Sequence, residues 1–161
     1  ASQRLQEGEE NRSLFKLLSE VLMGMNTYDH RHKALGDGAQ TLDLEWVKVF
    51  YELKLLAALG FEIQIRRCVR CGAEGPHVAF NVEEGGAVCD RCVADGDDRI
   101  GRMLFNIMDY VGKQSVEILM ETKINRLYVH KLDILCMRFM TQHLGYQEFK
   151  SLEFLRAIRK V

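Results

Sequence analysis

Proline is nearly missing from this chain: Pro76 is the only one among 161 residues. Little therefore interrupts helix formation on either side of it, and abundant Leu, Met, Lys, Glu and Arg lean the same way. No uninterrupted apolar run reaches bilayer-spanning length, and no charged-then-apolar signal segment opens the chain. These two absences argue against a membrane partner and for a cytoplasmic protein. Charge of one sign is lacking as well. With 22 basic and 23 acidic residues the formal net charge is −1, so any contact with DNA has to use a local basic face. Aromatics make up only 9% and are not interleaved with the basic residues, so base stacking of the single-strand-binding type is not evident. Also missing are a phosphate-binding glycine loop, a serine-nucleophile elbow and a paired-acid motif. That combination points away from an enzyme and from a small-molecule substrate.

What is present suits one mainly α domain, a helical bundle over residues 1–161 with a small insert at 66–94. The first ten residues are polar and are expected to fray. Asn11 can cap a helix running to about Met25, with Leu14, Leu17, Leu18, Val21, Leu22 and Met25 in one stripe. Residues 26–40 lose that period, carry two glycines and read as an exposed loop. Thr41 or Asp43 opens the clearest helix, which ends at Gly60. On it Glu45, Lys48 and Glu52 form a thin stripe assigned to solvent, and almost everything else is apolar. A strand-like Phe61–Ile65 segment follows, then a hairpin around Glu83-Glu84-Gly85-Gly86. Helical pattern returns after Asp97 or Asp98 to about Val111, more weakly over Ser115–Glu121, and strongly over Asn125–Leu144, stopping at Gly145. A short helix after Ser151 closes the chain.

Four of the five cysteines fall into two Cys-x-x-Cys pairs, Cys68/Cys71 and Cys89/Cys92, separated by 17 residues. This spacing fits a four-cysteine zinc site in a zinc-ribbon-like module. A two-residue gap lets both thiolates of one turn face a single ion, and Gly72 permits the tight turn after the first pair. Four thiolates close the coordination shell, so one zinc ion held this way is structural, with no position for water or substrate. An iron–sulfur cluster uses the same ligands and stays open as an alternative; a redox-active disulfide pair would need only one of the two motifs. His77 lies near enough in sequence to substitute as a ligand or to be a loop histidine. Cys136, in the most apolar helix, reads as a buried inert thiol. His30 and His32 read as a solvated loop pair, and His130 and His143 as helix-surface residues.

Arg66, Arg67, Arg70 and Arg91 crowd the cysteine turns. Two readings stand: a local positive patch for DNA or a partner, or cations that offset the −2 charge of a tetrathiolate zinc centre. Arg99 and Arg102 follow the module, Lys131 and Arg138 share one face of the long helix, and Arg156, Arg159 and Lys160 end the chain. Such cations could dock phosphates or an acidic peptide.

The stretch VFYELKLLAALGFEIQIRRCVRCG, then NVEEGGAVCDRC, and the tail HLGYQEFKSLEFLRAI resemble the C-terminal domain of RecO, a bacterial recombination mediator. The likeness covers nearly the whole chain in order and spacing. It implies a DNA repair protein that acts with single-stranded DNA, with the C-terminal tail of the single-strand-binding protein SSB and with RecR, annealing strands and helping to load RecA. It also assigns the zinc to Cys68, Cys71, Cys89 and Cys92. The family's N-terminal OB-fold domain has no counterpart in the sequence, so DNA binding by this chain is expected to be weak. The alternative is a zinc-ribbon interaction domain of a transcription or ribosome-associated factor.

Overall fold

Two apolar helices set the architecture. The computed structural model of the chain describes residues 2–33 and 41–145. It opens with α1 (Ser2–Lys33), followed by α2 (Leu44–Ala58). A small sheet of β1 (His77–Asn81), β2 (Gly86–Cys89) and β3 (Asp98–Arg99) comes next. Helices α3 (Arg102–Lys113), α4 (Val116–Glu121) and α5 (Arg126–Leu144) complete the described chain. The mainly α reading holds, with a three-stranded antiparallel sheet in the order β2-β1-β3.

Helix α2 starts where Asp43 accepts from the backbone N–H groups of Glu45 and Trp46. Its Trp46, Val49, Phe50 and Leu56 are almost wholly buried, together with Val129 and Leu132 of α5 and Leu119 of α4. The Trp46 indole N–H donates to the Leu119 carbonyl at 2.9 Å, so the one polar atom of this core side chain is satisfied. Helix α5 starts at the cap Asn125 and ends at Gly145, as the pattern predicts.

The stripe of Glu45, Lys48 and Glu52 does not face solvent. It packs along α5, where the Lys48 Nζ lies 2.5 Å from Asp133 and 2.7 Å from Glu52, and Glu45 lies 3.6 Å from His130. These pairings advance in the same direction on both helices, so α2 and α5 run parallel. Alternating charge at i, i+4 spacing is what a solvated face also shows, and the partners on α5 are distant in sequence. Burial, then the nearby Asp133, pushes the Glu52 carboxyl above its ordinary range, while Lys48 opposes that shift.

Other boundaries differ too. Helix α1 takes in the residues expected to fray from Ser2 onward, and continues through 26–33 instead of ending at Met25. There Tyr28 is buried and stacks on His32, Lys33 pairs with Asp29, and Arg31 and His32 reach Glu121 of α4. These i, i+4 and tertiary contacts replace the missing aliphatic period. Residues 34–40 of the expected loop and the helix after Ser151 lie outside the described residues. The Phe61–Ile65 segment makes a single bridge, Gln64 to Gly86, and no regular strand. Asp98 and Arg99 pair with Phe80 and Ala79 as β3, so α3 begins later than expected, at Arg102. His143 is half-buried rather than on the surface: its Nε2–H donates to the Val82 carbonyl at 2.6 Å, and its ring lies on Phe139.

The sheet has two apolar faces of alternating side chains. Phe80 and Ala87 join the helical core, where Phe80 meets Phe139 of α5; Ala79 and Val88 point the other way and pack with Cys68 and Cys89. The inserted segment is therefore seated in the bundle. Gly86 sits at this seam, and a Cβ there would lie 2.4 Å from the Gln64 carbonyl oxygen and 2.6 Å from Val69 Cγ1.

Lys48→Met should lower the unfolding free energy by on the order of 2 kcal/mol in urea titration. That is below the ~3–5 kcal/mol for breaking a fully buried pair, because the Lys48 side chain is 38% exposed. Gly86→Ala should destabilise by about 1–3 kcal/mol through overpacking at a backbone oxygen, read in the same titration. An unchanged midpoint for either variant would count against the packing described.

Candidate metal centre

The two Cys-x-x-Cys segments form tight turns at one edge of the sheet. In the first, the Gly72 N–H donates to the Cys68 carbonyl at 2.8 Å and the Cys68 N–H to the Ala73 carbonyl at 2.9 Å. Gly72 has φ of 72°, a left-handed conformation that a side chain disfavours. In the second, the Cys92 and Val93 N–H groups both donate to the Cys89 carbonyl at 3.0 Å. Strand β2 carries Cys89 next to the first turn, where its N–H approaches the Cys68 sulfur at 3.5 Å.

All four sulfur atoms lie within 4.8 Å of one another, with Cys71 and Cys89 3.7 Å apart. A tetrahedron with metal–sulfur bonds of about 2.3 Å has sulfur–sulfur edges of roughly 3.8 Å, so the arrangement fits a metal ion of that coordination. The electrostatics agree. Burial alone would raise the Cys68 thiol, but backbone N–H groups aimed at its sulfur outweigh that and bring it down to about 6. Cys92 is pushed up to about 12 by hydrogen bonding to the neighbouring sulfurs of Cys71 and Cys89, then by burial and the Cys68 charge. One thiolate forms readily and the next is opposed by it. A cation at the centre would relieve that repulsion, so the cluster suits a metal ion.

His77, weighed above as a ligand or a loop residue, sits on β1 with its ring against Phe105, and it is not among the grouped ligand atoms. Cys136 is fully buried, with its thiol raised mainly by burial, in keeping with an inert side chain. Glu45, His130 and Asp133 also bring ligand atoms within 4.8 Å of each other, but the Lys48 ammonium already supplies the positive charge there.

The four arginines of the module do not form one patch. Arg70 is taken up internally: its guanidinium holds both oxygens of Asp97 at 2.7 and 2.9 Å, reaches Glu84 in the hairpin turn at 2.8 Å, and donates to the Cys92 carbonyl at 2.6 Å. Asp97, its side chain 1% exposed, also accepts from Asn81 and from the Ala94 N–H. Arg67 pairs with Glu74, Arg66 lies 3.9 Å from Asp109, and Arg91 is exposed with no ion-pair partner among the described residues. Lys131 and Arg138 are exposed on α5, with Arg138 bonded to Asp98 at 2.6 Å. Arg156 and Arg159 lie outside the described residues. Sequence reading missed Asp97, the carboxylate that locks the second turn to the first. Its only signal was an acidic residue in a glycine turn soon after the last cysteine.

Hydrogen bonds from Arg70, with help from Asn81 and Ala94, hold the Asp97 carboxyl well below the usual carboxylate range against the effect of burial. A depressed folded value means that its contribution is complete above about pH 4 and fades as pH falls further. Asp97→Asn should therefore speed removal of bound metal by a chelator about tenfold at neutral pH, and the gap from the unmodified protein should narrow in acid. Cys71→Ser should lower metal content outright, read by elemental analysis.

Among the described residues no helix is long and apolar enough to cross a membrane. The chain matches the protein family described as "Recombination protein O C terminal" over residues 1–153. It is 25% identical over 156 residues to the DNA repair protein RecO of Alkaliphilus metalliredigens, covering 95% of this chain and 58% of that protein. To the DNA repair protein RecO of Pelotomaculum thermopropionicum it is 30% identical over 152 residues, covering 92% of this chain and 54% of the relative. For the same protein of a Roseiflexus species the identity is 30% over 163 residues, with 98% and 52% covered. The chain thus spans about half the length of these relatives. Helical bundle and cysteine-bearing sheet fall inside one continuous match, and the chain belongs to the RecO family of DNA repair proteins.

Proposed function

We propose that this chain is a non-enzymatic, cytoplasmic recombination-mediator domain built around one structural zinc ion. Cys68, Cys71, Cys89 and Cys92 hold the ion in a zinc-ribbon-like module. Four thiolates leave no open coordination position, so the ion stabilises the module and performs no hydrolytic or deaminase chemistry. The domain works through contacts with single-stranded DNA, with the acidic, apolar-ended tail of SSB and with RecR, promoting strand annealing and RecA loading.

One observation carries the partner reading. Between the β3–α3 junction and α5 lies a groove of about 240 Å³ lined by Ile100, Leu104, Ile134 and Leu135, with Arg99, Lys131 and Arg138 at its edge. Ile134 is 40% exposed there, and Lys131 makes no ion pair among the described residues. An apolar slot with a basic rim suits a short acidic peptide that ends in a large apolar side chain. An incoming carboxylate can take over Arg138 from Asp98.

Lys131→Glu with Arg138→Glu should weaken binding of an SSB-tail peptide about tenfold, roughly 1.4 kcal/mol, with zinc content and helicity unchanged. Fluorescence anisotropy of the labelled peptide measures it. Equal binding by the variant removes the groove from this role; no binding by the unmodified chain removes SSB as a partner.

A further inference from the structure

A second cleft lies on the other side of α3, between that helix and the cysteine-bearing sheet. It measures about 360 Å³, within the range of small-ligand sites. Its walls bring together Arg66 from the approach to the first cysteine turn, His77 from β1, and Arg102 and Asn106 from α3. Three features make it more than a surface dent. Arg102 has no ion-pair partner among the described residues, and Arg66 has only a distant one, Asp109 at 3.9 Å. Asp109 also lines the cleft, where it is paired with Lys113 one turn along α3, so the lining keeps a net positive charge. The Nε2 of His77 is buried at the cleft wall without a hydrogen-bond partner among the described residues. Such an atom is costly to leave unmet, by about 1–3 kcal/mol, and a small turn of the ring would bring it to an oxygen in the cleft.

Apolar surface stands next to these donors, from Ile65, Pro76 and Phe105. A pair of planar guanidinium forks suits the oxygens of a phosphate, and the apolar wall beside them suits the flat, weakly polar sugar and base attached to it. From this we infer that the cleft between α3 and the cysteine-bearing sheet is a nucleotide-unit site for single-stranded DNA. Arg66 and Arg102 take the phosphodiester, His77 and Asn106 add hydrogen bonds, and Pro76 and Phe105 support the nucleoside. The inference rests on the DNA-binding reading above and names the surface that carries it. It also separates the two faces of α3: DNA on the side of Arg66 and Arg102, the acidic peptide on the side of Lys131 and Arg138.

The test uses the zinc-loaded chain, a labelled oligothymidine, an abasic deoxyribose-phosphate oligomer and an oligoglutamate peptide, titrated over a series of salt concentrations. Arg66→Glu with Arg102→Glu changes two exposed side chains, and its fold is checked by zinc content and circular dichroism. This variant should bind oligothymidine at least tenfold more weakly. The slope of log affinity against log salt should become shallower by about 1.4, the change expected for two lost phosphate contacts on a single strand. Arg66→Lys with Arg102→Lys keeps the charge and should recover part of the affinity. The abasic oligomer should bind more weakly than oligothymidine to the unmodified chain, and by a smaller margin to a Phe105→Leu variant whose fold is checked in the same way. If the unmodified chain binds oligothymidine and the double reversal changes neither affinity nor slope, the cleft assignment is wrong while DNA binding stands. If the unmodified chain binds no oligothymidine at low salt, both fall. Should oligoglutamate bind as tightly and be lost in the same variant, the cleft takes an acidic peptide and the nucleotide assignment is withdrawn.

Discussion

Four sulfur atoms within 4.8 Å cannot all carry charge unless something positive sits among them. That constraint organises the middle of the chain. It suits the cysteine turns to a cation, and the turns adjoin the end of β2 and the entry to β1. The sheet then transmits the arrangement to the bundle, because alternate residues of the same strands face the sulfur cluster and the helical core. Phe80 against Phe139, and His143 bonded to the Val82 carbonyl, mean that disorder at the cysteine turns would reach α5 directly.

Charge near the cluster divides into two kinds. Arg70 is absorbed by Asp97, Glu84 and a cysteine-turn carbonyl, and it acts as a brace. Arg66, Arg91, Arg102 and Lys131 are exposed. Arg70 is therefore matched by carboxylates of its own module, and the four arginines do not act as one group. A bare count of cations near a metal site does not separate them; what separates them is whether a buried carboxylate lies within reach.

The cysteine spacing was legible because a tetrahedral ion requires paired turns wherever it occurs, and the α5 boundaries were legible because Asn125 and Gly145 act through local backbone geometry. The hairpin at Glu83–Gly86 followed from turn chemistry in the same way. What escaped was tertiary. The polar 26–33 stretch is helical because Tyr28 and His32 find each other and Glu121, and residues 98–99 pair as a strand because Phe80 and Ala79 are waiting beside them. Glu45, Lys48 and Glu52 looked solvated because nothing in their own helix reveals Asp133, more than 80 residues away. The α3 cleft was hidden for the same reason: Arg66, His77 and Arg102 become neighbours only after the sheet folds back on the helix.

The parallel run of α2 and α5 has a topological consequence. Two neighbouring helices pointing the same way cannot be joined by a short turn; the chain must return along the full length of the first before starting the second. Helix α2 has 15 residues, about 22 Å of rise, and the 12 residues of α3 give about 18 Å of return. The metal-binding sheet sits at the far end of that path, where the chain reverses. It is the hairpin bend of a crossover, so the cysteine turns lie on the path that brings α5 back beside α2, with Lys48 opposite Asp133.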